Sequence, residues 1–148
     1  MSYVFRNMIA KYVSSADYYL VSEGVYETKI KHDVELYETI LNGNPVDMKK
    51  KAFYGKKADS LLEHMIPVSV TAKALVDLRP SPSKNEVSKI LMNAGHVAII
   101  LRTENELLPK TKMPDNWKYF DSCFARYEKA GVRLAEGIYV KRGNAIYR

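Results

Sequence analysis

The sequence Leu-Leu-Glu-His-Met-Ile-Pro (residues 61–67) carries the pattern on which our interpretation of the fold depends. Apolar residues surround an acid and a histidine, and the run ends at a proline, which favours a short strand that ends there. Pro67 also suits the first turn of a helix, because its ring fixes a helical φ angle and its missing N–H would have no partner there. We therefore predict a strand, followed at once by a helix that carries Val70, Ala74 and Leu75.

Two capping patterns bracket a second strand downstream. Ser83 and Glu86 match the S-x-x-E capping box, which predicts the beginning of a helix. Residues 96–101 form an almost wholly apolar run, His-Val-Ala-Ile-Ile-Leu, which is consistent with a buried strand. Thr103 and Glu106 match the same box as T-x-x-E, so a further helix is predicted directly after that strand.

Before residues 61–67, the sequence predicts a helix, a strand and a second helix. Apolar residues recur at helical spacing between Val4 and Val13. Residues 25–31 mix apolar and polar side chains in the manner of a strand. Asp33 is a suitable N-cap for a helix that ends at Gly43.

The C-terminal part predicts one helix and a β-hairpin. Aromatic residues at helical spacing from Phe120 to Tyr127 indicate a helix that ends at Gly131. Residues 138–147 predict two strands joined by a turn at the tripeptide Arg-Gly-Asn. Helices and strands of this kind predict an α+β fold, and the length predicts a single domain over residues 1–148.

The chain is basic, and its lysines cluster. Lysine and arginine number 23 against 17 acidic residues, which gives a net charge of +6 and favours a polyanionic partner such as nucleic acid. The densest cluster surrounds Phe53 and Tyr54 and contains Lys49, Lys50, Lys51, Lys56 and Lys57. This stretch either follows a phosphate backbone while its aromatics stack on bases, or is a solvated loop whose aromatics belong to the core.

The cysteine content and the hydropathy pattern argue against a disulfide-bonded, a cysteine-zinc or a membrane-spanning protein. Cys123 is the only cysteine, so neither an intrachain disulfide nor a cysteine-based zinc site can form, and a reducing, cytoplasmic location is expected. The sequence contains no apolar run of about eighteen residues, so we expect no membrane partner.

The order acid, histidine, two apolar residues and proline at Glu63, His64 and Pro67 resembles the first half of the motif of HNH endonucleases, also called the ββα-metal or His-Me finger family. The resemblance implies a divergent ββα-metal-like core at residues 58–121, with added helices and the C-terminal hairpin outside it. In that family the acid binds a divalent metal, the histidine activates water, and an asparagine early in the last helix orients the histidine. Asn105 matches this asparagine.

The resemblance implies a metal-dependent nuclease that hydrolyses phosphodiester bonds, with DNA as the favoured substrate and Mg²⁺ or Mn²⁺ as the cofactor. His64 would be the general base, since an imidazole of pKa about 6.5 accepts a proton from water at neutral pH. The last metal-binding histidine of the family has no match here, which leaves Asp115, or else Asp121, as the second ligand besides Glu63. The five clustered lysines, with Lys112 and Arg126, would bind flanking phosphates.

Two other functions fit the same residues. One is a basic nucleic-acid-binding module without catalysis, and the other is a small phage-type regulatory or inhibitor protein. The latter is suggested by eleven tyrosines, because tyrosine is favoured at protein interfaces. Trp117, after a proline turn, is either a stacking platform for a base or a plug of the core.

Overall fold

A mixed four-stranded sheet forms the centre of the fold in the computed structural model, which describes residues 7–8, 17–78 and 80–143. Its strands are β1 (Tyr18–Ser22), β2 (Ser60–His64), β3 (Val97–Leu101) and β4 (Leu134–Lys141). They lie in the order β2-β3-β1-β4. The two central strands, β1 and β3, are parallel, and each outer strand is antiparallel to its neighbour.

Short helices connect these strands. They are α1 (Glu23–Val25), which continues as a π-helical segment (Tyr26–Ile30), α2 (Val34–Leu41), α3 (Val68–Val76), α4 (Lys84–Asn93), α5 (Arg102–Asn105) and α6 (Ala125–Ala130). The first three segments connect β1 to β2, and α3 and α4 connect β2 to β3. The last two lie between β3 and β4.

The first face of the sheet packs against α1, the π-helical segment, α2 and the chain that follows α2. Alternate strand residues point to this face because successive side chains of a strand point in opposite directions. The core they form consists of Tyr19, Val21, Val97, Ile99, Ile138 and Val140 from the strands, and Val25, Ile30, Leu36, Ile40, Val46, Met48 and Phe53 from the covering segments.

The second face packs against α6 and the segment that leads from α5 towards it. Ala98 and Ile100 of β3 contribute to this core from the sheet. The buried residues that cover them are Met65, Leu108, Tyr127 and Val132.

Helices α3 and α4 lie at one end of the sheet. His64, the last residue of β2, pairs with Val97, the first residue of β3, so the connection between these strands leaves and returns at the same end. Ala72 and Ala94 are buried where the two helices meet. The opposite end of the sheet, where Ser60 pairs with Leu101, is the end from which α5 starts.

The α+β class and several local predictions are confirmed. The two strands predicted around residues 61–66 and 96–101 are β2 and β3. The side chain of Asp33 caps α2 by accepting a hydrogen bond of 3.1 Å from the N–H of Leu36. Ser83 and Glu86 form the expected capping box at the beginning of α4.

The strand predicted at residues 25–31 is wrong, because this stretch is helical. The hydroxyl of Ser22 accepts a hydrogen bond of 3.1 Å from the N–H of Val25 and so begins α1 immediately after β1. Val25 and Ile30 are then buried on the first face. The strand at this point of the chain is β1, seven residues earlier than predicted.

The predicted capping box of Thr103 and Glu106 is also wrong. Helix α5 begins at Arg102, and the carboxylate that caps it belongs to Glu104. Its Oε1 accepts a hydrogen bond of 2.8 Å from the N–H of Leu101.

Two predictions fall partly outside the described residues. Only residues 7 and 8 of the N-terminal helix are described. The second strand of the predicted C-terminal hairpin would fall on residues 145–147, which are outside the described part of the chain. None of the helices in the described part combines the length and the apolar composition that a membrane-spanning helix needs.

Candidate functional site

Glu63 lies in a buried ion pair on the second face of the sheet. Both of its carboxylate oxygens accept hydrogen bonds from Nη2 of Arg126, at 2.9 and 2.7 Å. The Tyr127 hydroxyl donates a third hydrogen bond of 2.6 Å to Oε1. The side chains of Arg126 and Glu63 are 1% and 15% exposed, so the pair is largely shielded from water.

The guanidinium of Arg126 also joins three parts of the backbone. Nη1 donates to the carbonyl oxygen of Pro109 at 2.8 Å, and Nη2 lies 2.7 Å from the carbonyl oxygen of His64. Nη2 lies 3.4 Å from the carbonyl oxygen of Met65 as well. Arg126 therefore ties the end of β2 to α6 and to the chain after α5. Because its head is buried and engaged, Arg126 is not available to bind a flanking phosphate, which corrects that part of the sequence-based prediction.

Burial and the charges of this cluster shift the pKa values of Tyr127 and His64. Burial raises the pKa of Tyr127 far above its usual value, and the negative charge of Glu63 raises it further, so the hydroxyl stays a donor. Burial lowers the pKa of His64, and the positive charge of Arg126 lowers it further. The imidazole of His64 is therefore neutral at pH 7.

The strand register separates Glu63 from His64. Glu63 pairs with Ala98, whose side chain lies in the core of the second face. His64 pairs with Val97, whose side chain lies in the core of the first face. Adjacent residues in β2 point in opposite directions, so the acid and the histidine of the HNH-like motif do not converge on one site.

Asn105 is placed on a helix at the other end of β2. The strand-strand-helix order of the resemblance occurs as β2, β3 and α5, with α3 and α4 inserted between the strands. Helix α5 follows Leu101, which pairs with Ser60, whereas His64 is the last residue of β2. Four residues of strand span about 13 Å. The backbone carbonyl oxygen of Asn105 accepts a hydrogen bond of 2.6 Å from Nζ of Lys110.

Among the described residues, the predicted metal ligands are either engaged by other groups or exposed. The carboxylate of Glu63 is already engaged by Arg126 and Tyr127. Asp115 is exposed, and Asp121 accepts a hydrogen bond of 2.8 Å from the N–H of Lys118. Among the residues that the structure describes, no group of three or more histidine, cysteine, aspartate or glutamate side chains is arranged to hold a metal ion.

The clustered lysines lie on an exposed turn, which we call the lysine loop (residues 49–57). All five of its lysines are exposed. Phe53 is fully buried in the core of the first face, and Tyr54 packs against the same core. Phe53 therefore belongs wholly to the core, and Tyr54 belongs to it in part.

The side chains of Lys29 and Arg102 donate hydrogen bonds to the backbone of the lysine loop and to Ala58 just after it. Nζ of Lys29 donates to the carbonyl oxygen of Ala52 at 3.0 Å. The guanidinium of Arg102 donates to the carbonyl oxygens of Gly55 and Ala58, at 2.9 and 2.7 Å. Gly55 has a φ angle of 130°, which a residue with a side chain rarely adopts. Hydrogen bonds to Lys29 and Arg102 therefore anchor the backbone of this turn, which carries the exposed lysine side chains.

The remaining candidates lie elsewhere. Lys112 is exposed and precedes Met113, which packs with Ile66 and Cys123 beside α3. Trp117 packs against the same group, and its indole N–H donates to the carbonyl oxygen of Ser122 at 2.9 Å. These contacts anchor the indole at the edge of this group, where the side chain stays partly exposed.

Sequence reasoning missed two side chains that organise the site. Tyr127 was expected only as a core aromatic, yet its hydroxyl bonds Glu63. Glu104 links the ends of the two parallel strands, because Oε1 accepts hydrogen bonds from the Ser22 hydroxyl at 2.6 Å and from the N–H of Leu101 at 2.8 Å. The three-residue spacing of Leu101 and Glu104 was a usable signal for the second contact, whereas no local signal relates Ser22 to Glu104.

Comparison with known proteins identifies no relative. No protein-family model matches the chain, and no curated protein or solved structure matches it.

Proposed function

We propose that the chain binds nucleic acid through the phosphate backbone, with the lysine loop as its contact surface. The observation that carries this proposal is the concentration of five exposed lysines on one anchored turn, in a chain of net charge +6. Lysines that replace condensed counterions along a polyanion gain affinity from the release of those ions.

The charges around the lysine loop support an anionic partner. Asp59 is already paired with Lys29, at 2.6 Å between the carboxylate oxygen and Nζ. Lys51 has Asp33 at 3.9 Å, a distance at which an exposed pair contributes little. Neighbouring acids therefore leave most of the positive charge of the loop available to phosphates.

We propose that the chain binds nucleic acid, and the positions of Glu63, His64 and Asn105 give no reason to add hydrolysis. A metal-dependent nuclease, as the resemblance implies, would need Glu63 to exchange Arg126 for a metal ion and would need Asn105 to approach His64. Phosphate contacts by lysine require neither change. Such contacts carry no sequence information, so we expect binding with little sequence preference.

The test measures binding of labelled duplex DNA, single-stranded DNA and RNA by fluorescence anisotropy between 50 and 200 mM salt. If four lysines contact phosphates of duplex DNA, the slope of log K against log salt concentration is about −3.6. Replacing Lys56 and Lys57 with glutamine should lower the affinity and make the slope less steep by about 1.8.

The matched control is the double variant K84Q/K89Q, which removes the same charge from two exposed lysines of α4 at the other end of the sheet. Equal effects of the two double variants would show that only net charge matters and would contradict a role for the loop. Incubation of the same nucleic acids with Mg²⁺ or Mn²⁺ tests the nuclease prediction separately. Cleavage that is lost in His64→Ala would establish hydrolysis in place of simple binding.

A further inference from the structure

Two neighbouring cavities share part of their lining, and neither is lined by a residue of the lysine loop. Their volumes are about 250 and 560 Å³, and Lys112, Met113 and Pro114 line both of them. Taken together they have the size of a small-molecule site, for which about 300–1,000 Å³ is usual. The segment that they share separates an aromatic compartment from a cationic one.

The larger cavity is the aromatic compartment. Trp117, Tyr119 and Phe120 line it, beside Val70 and Ile90. Neighbouring rings are in edge contact, with centroids 5.6 Å apart for Trp117 and Tyr119 and 5.1 Å apart for Tyr119 and Phe120. The ring of Phe120 is 60% exposed, so it offers an uncovered apolar face.

Hydrogen bonds hold the side chains of Tyr119 and Trp117 in place. The Tyr119 hydroxyl donates to the carbonyl oxygen of Ile90 at 2.9 Å, and the indole N–H of Trp117 donates to the carbonyl oxygen of Ser122. Phe120 has a φ angle of 82°, a left-handed conformation that costs free energy in a residue with a bulky side chain. A compartment built in advance loses little conformational entropy when a planar group enters it.

The smaller cavity is the cationic compartment. Arg126, Lys112 and Lys129 line it together with one acid, Asp115. The charge of Arg126 is balanced by Glu63. Among the described residues, neither lysine forms an ion pair, so the two ammonium groups outweigh the single carboxylate and leave this compartment net positive.

We propose that the two cavities form one binding site for a small aromatic anion of the nucleotide class. The planar base would lie against Phe120 and Trp117 in the aromatic compartment. The phosphate would bind Lys112, which borders both cavities, and Lys129. This chemistry is the same for a free mononucleotide and for a nucleotide within a single strand. The site is separate from the lysine loop, so the inference stands or falls independently of the proposed function.

The test uses Trp117, the only tryptophan of the chain, as a fluorescence reporter. Titration with adenosine monophosphate should change its emission in a saturable way. Adenosine alone and inorganic phosphate alone should each bind at least about tenfold more weakly, because each lacks one of the two contacts. A parallel titration uses a short oligothymidylate, which shows whether the nucleotide is taken free or as part of a strand.

Two variants test the two compartments. Phe120→Ala should weaken binding by roughly five- to hundredfold, as expected for loss of one stacking contact. K112Q/K129Q should weaken binding and reduce its salt dependence, and because both lysines are exposed this variant is expected to fold normally. The control K84Q/K89Q removes the same charge from two exposed lysines that line neither cavity, and it should leave the titration unchanged.

Each result of these titrations either supports the nucleotide site or overturns it. Binding of the mononucleotide, or of the oligonucleotide alone, supports the site and identifies the source of the ligand, provided that both site variants weaken it. No saturable change with either probe overturns the inference. So does equal binding of inorganic phosphate and adenosine monophosphate, because the aromatic compartment would then play no part.

Discussion

Nη2 of Arg126 lies 2.7 Å from Oε2 of Glu63, although 63 positions separate the two residues in the chain. This contact joins an edge strand of the sheet to the helix that covers the second face. The guanidinium is almost wholly buried, and the carboxylate accepts a further hydrogen bond from Tyr127. An ion pair in such surroundings is satisfied only while both partners are present.

Removal of one partner of this pair is therefore expected to be far more damaging than removal of both. Glu63→Ala leaves the charge of Arg126 buried without a counterion and should lower the free energy of unfolding by about 3–5 kcal/mol. The double variant E63L/R126M should recover a large part of that loss. Urea denaturation of E63L, R126M and the double variant E63L/R126M measures the coupling between the two side chains. A double variant no more stable than Glu63→Ala would show that the pair is not an energetic unit.

Much of the fold could be predicted because its signals are local. Asp33 and Ser83 cap helices through side chains that bond backbone N–H groups three residues later, and the sequence shows both members of each contact. The apolar run that forms β3 is equally visible, since this strand is central and covered on both faces. Residues 25–31 misled the prediction because their mixed polarity fits a strand as well as a helix with one buried side.

The candidate site was less predictable because its contacts are long-range. The HNH-like string is contiguous in sequence, but a strand sends Glu63 and His64 to opposite faces once its register is fixed by β3. No pattern in the sequence shows that Arg126 will be the partner of Glu63. Exposure of the lysine loop was predictable from composition, whereas burial of Phe53 depends on the packing of the first face.

Glu104 gives a second prediction, since it joins the ends of β1 and β3. Glu104→Ala removes the acceptor for the hydroxyl of Ser22, which is fully buried, and for the N–H of Leu101. A buried donor left without a partner costs about 1–3 kcal/mol, so the midpoint of urea denaturation should fall accordingly. Glu106→Ala, the exposed acid two positions later, is the matched control and should change stability by less than about 0.5 kcal/mol. A larger loss of stability in Glu106→Ala than in Glu104→Ala would support the capping box predicted from the sequence for Thr103 and Glu106.

The protonation of His64 gives a pH-dependent prediction for stability. Burial, aided by the charge of Arg126, holds the pKa of this imidazole below its usual value in the folded protein, whereas in the unfolded chain the pKa returns to about 6.5. Between these two values the unfolded state binds a proton that the folded state does not. The free energy of unfolding is therefore unaffected by this group above pH about 6.5 and decreases as the pH falls below it.

Urea denaturation at intervals from pH 7.5 to 5 measures this decrease. His64→Gln removes the titrating group, so its stability should vary less with pH over the same range. The exposed His32, replaced in the same way, is the control and should leave the wild-type dependence in place. Asp59 and Glu86 also have lowered pKa values, but stability linked to those carboxylates is lost only at more acidic pH, near and below their usual values of about 4. An equal pH dependence in the wild type and in His64→Gln would contradict the buried, neutral imidazole on which this prediction depends.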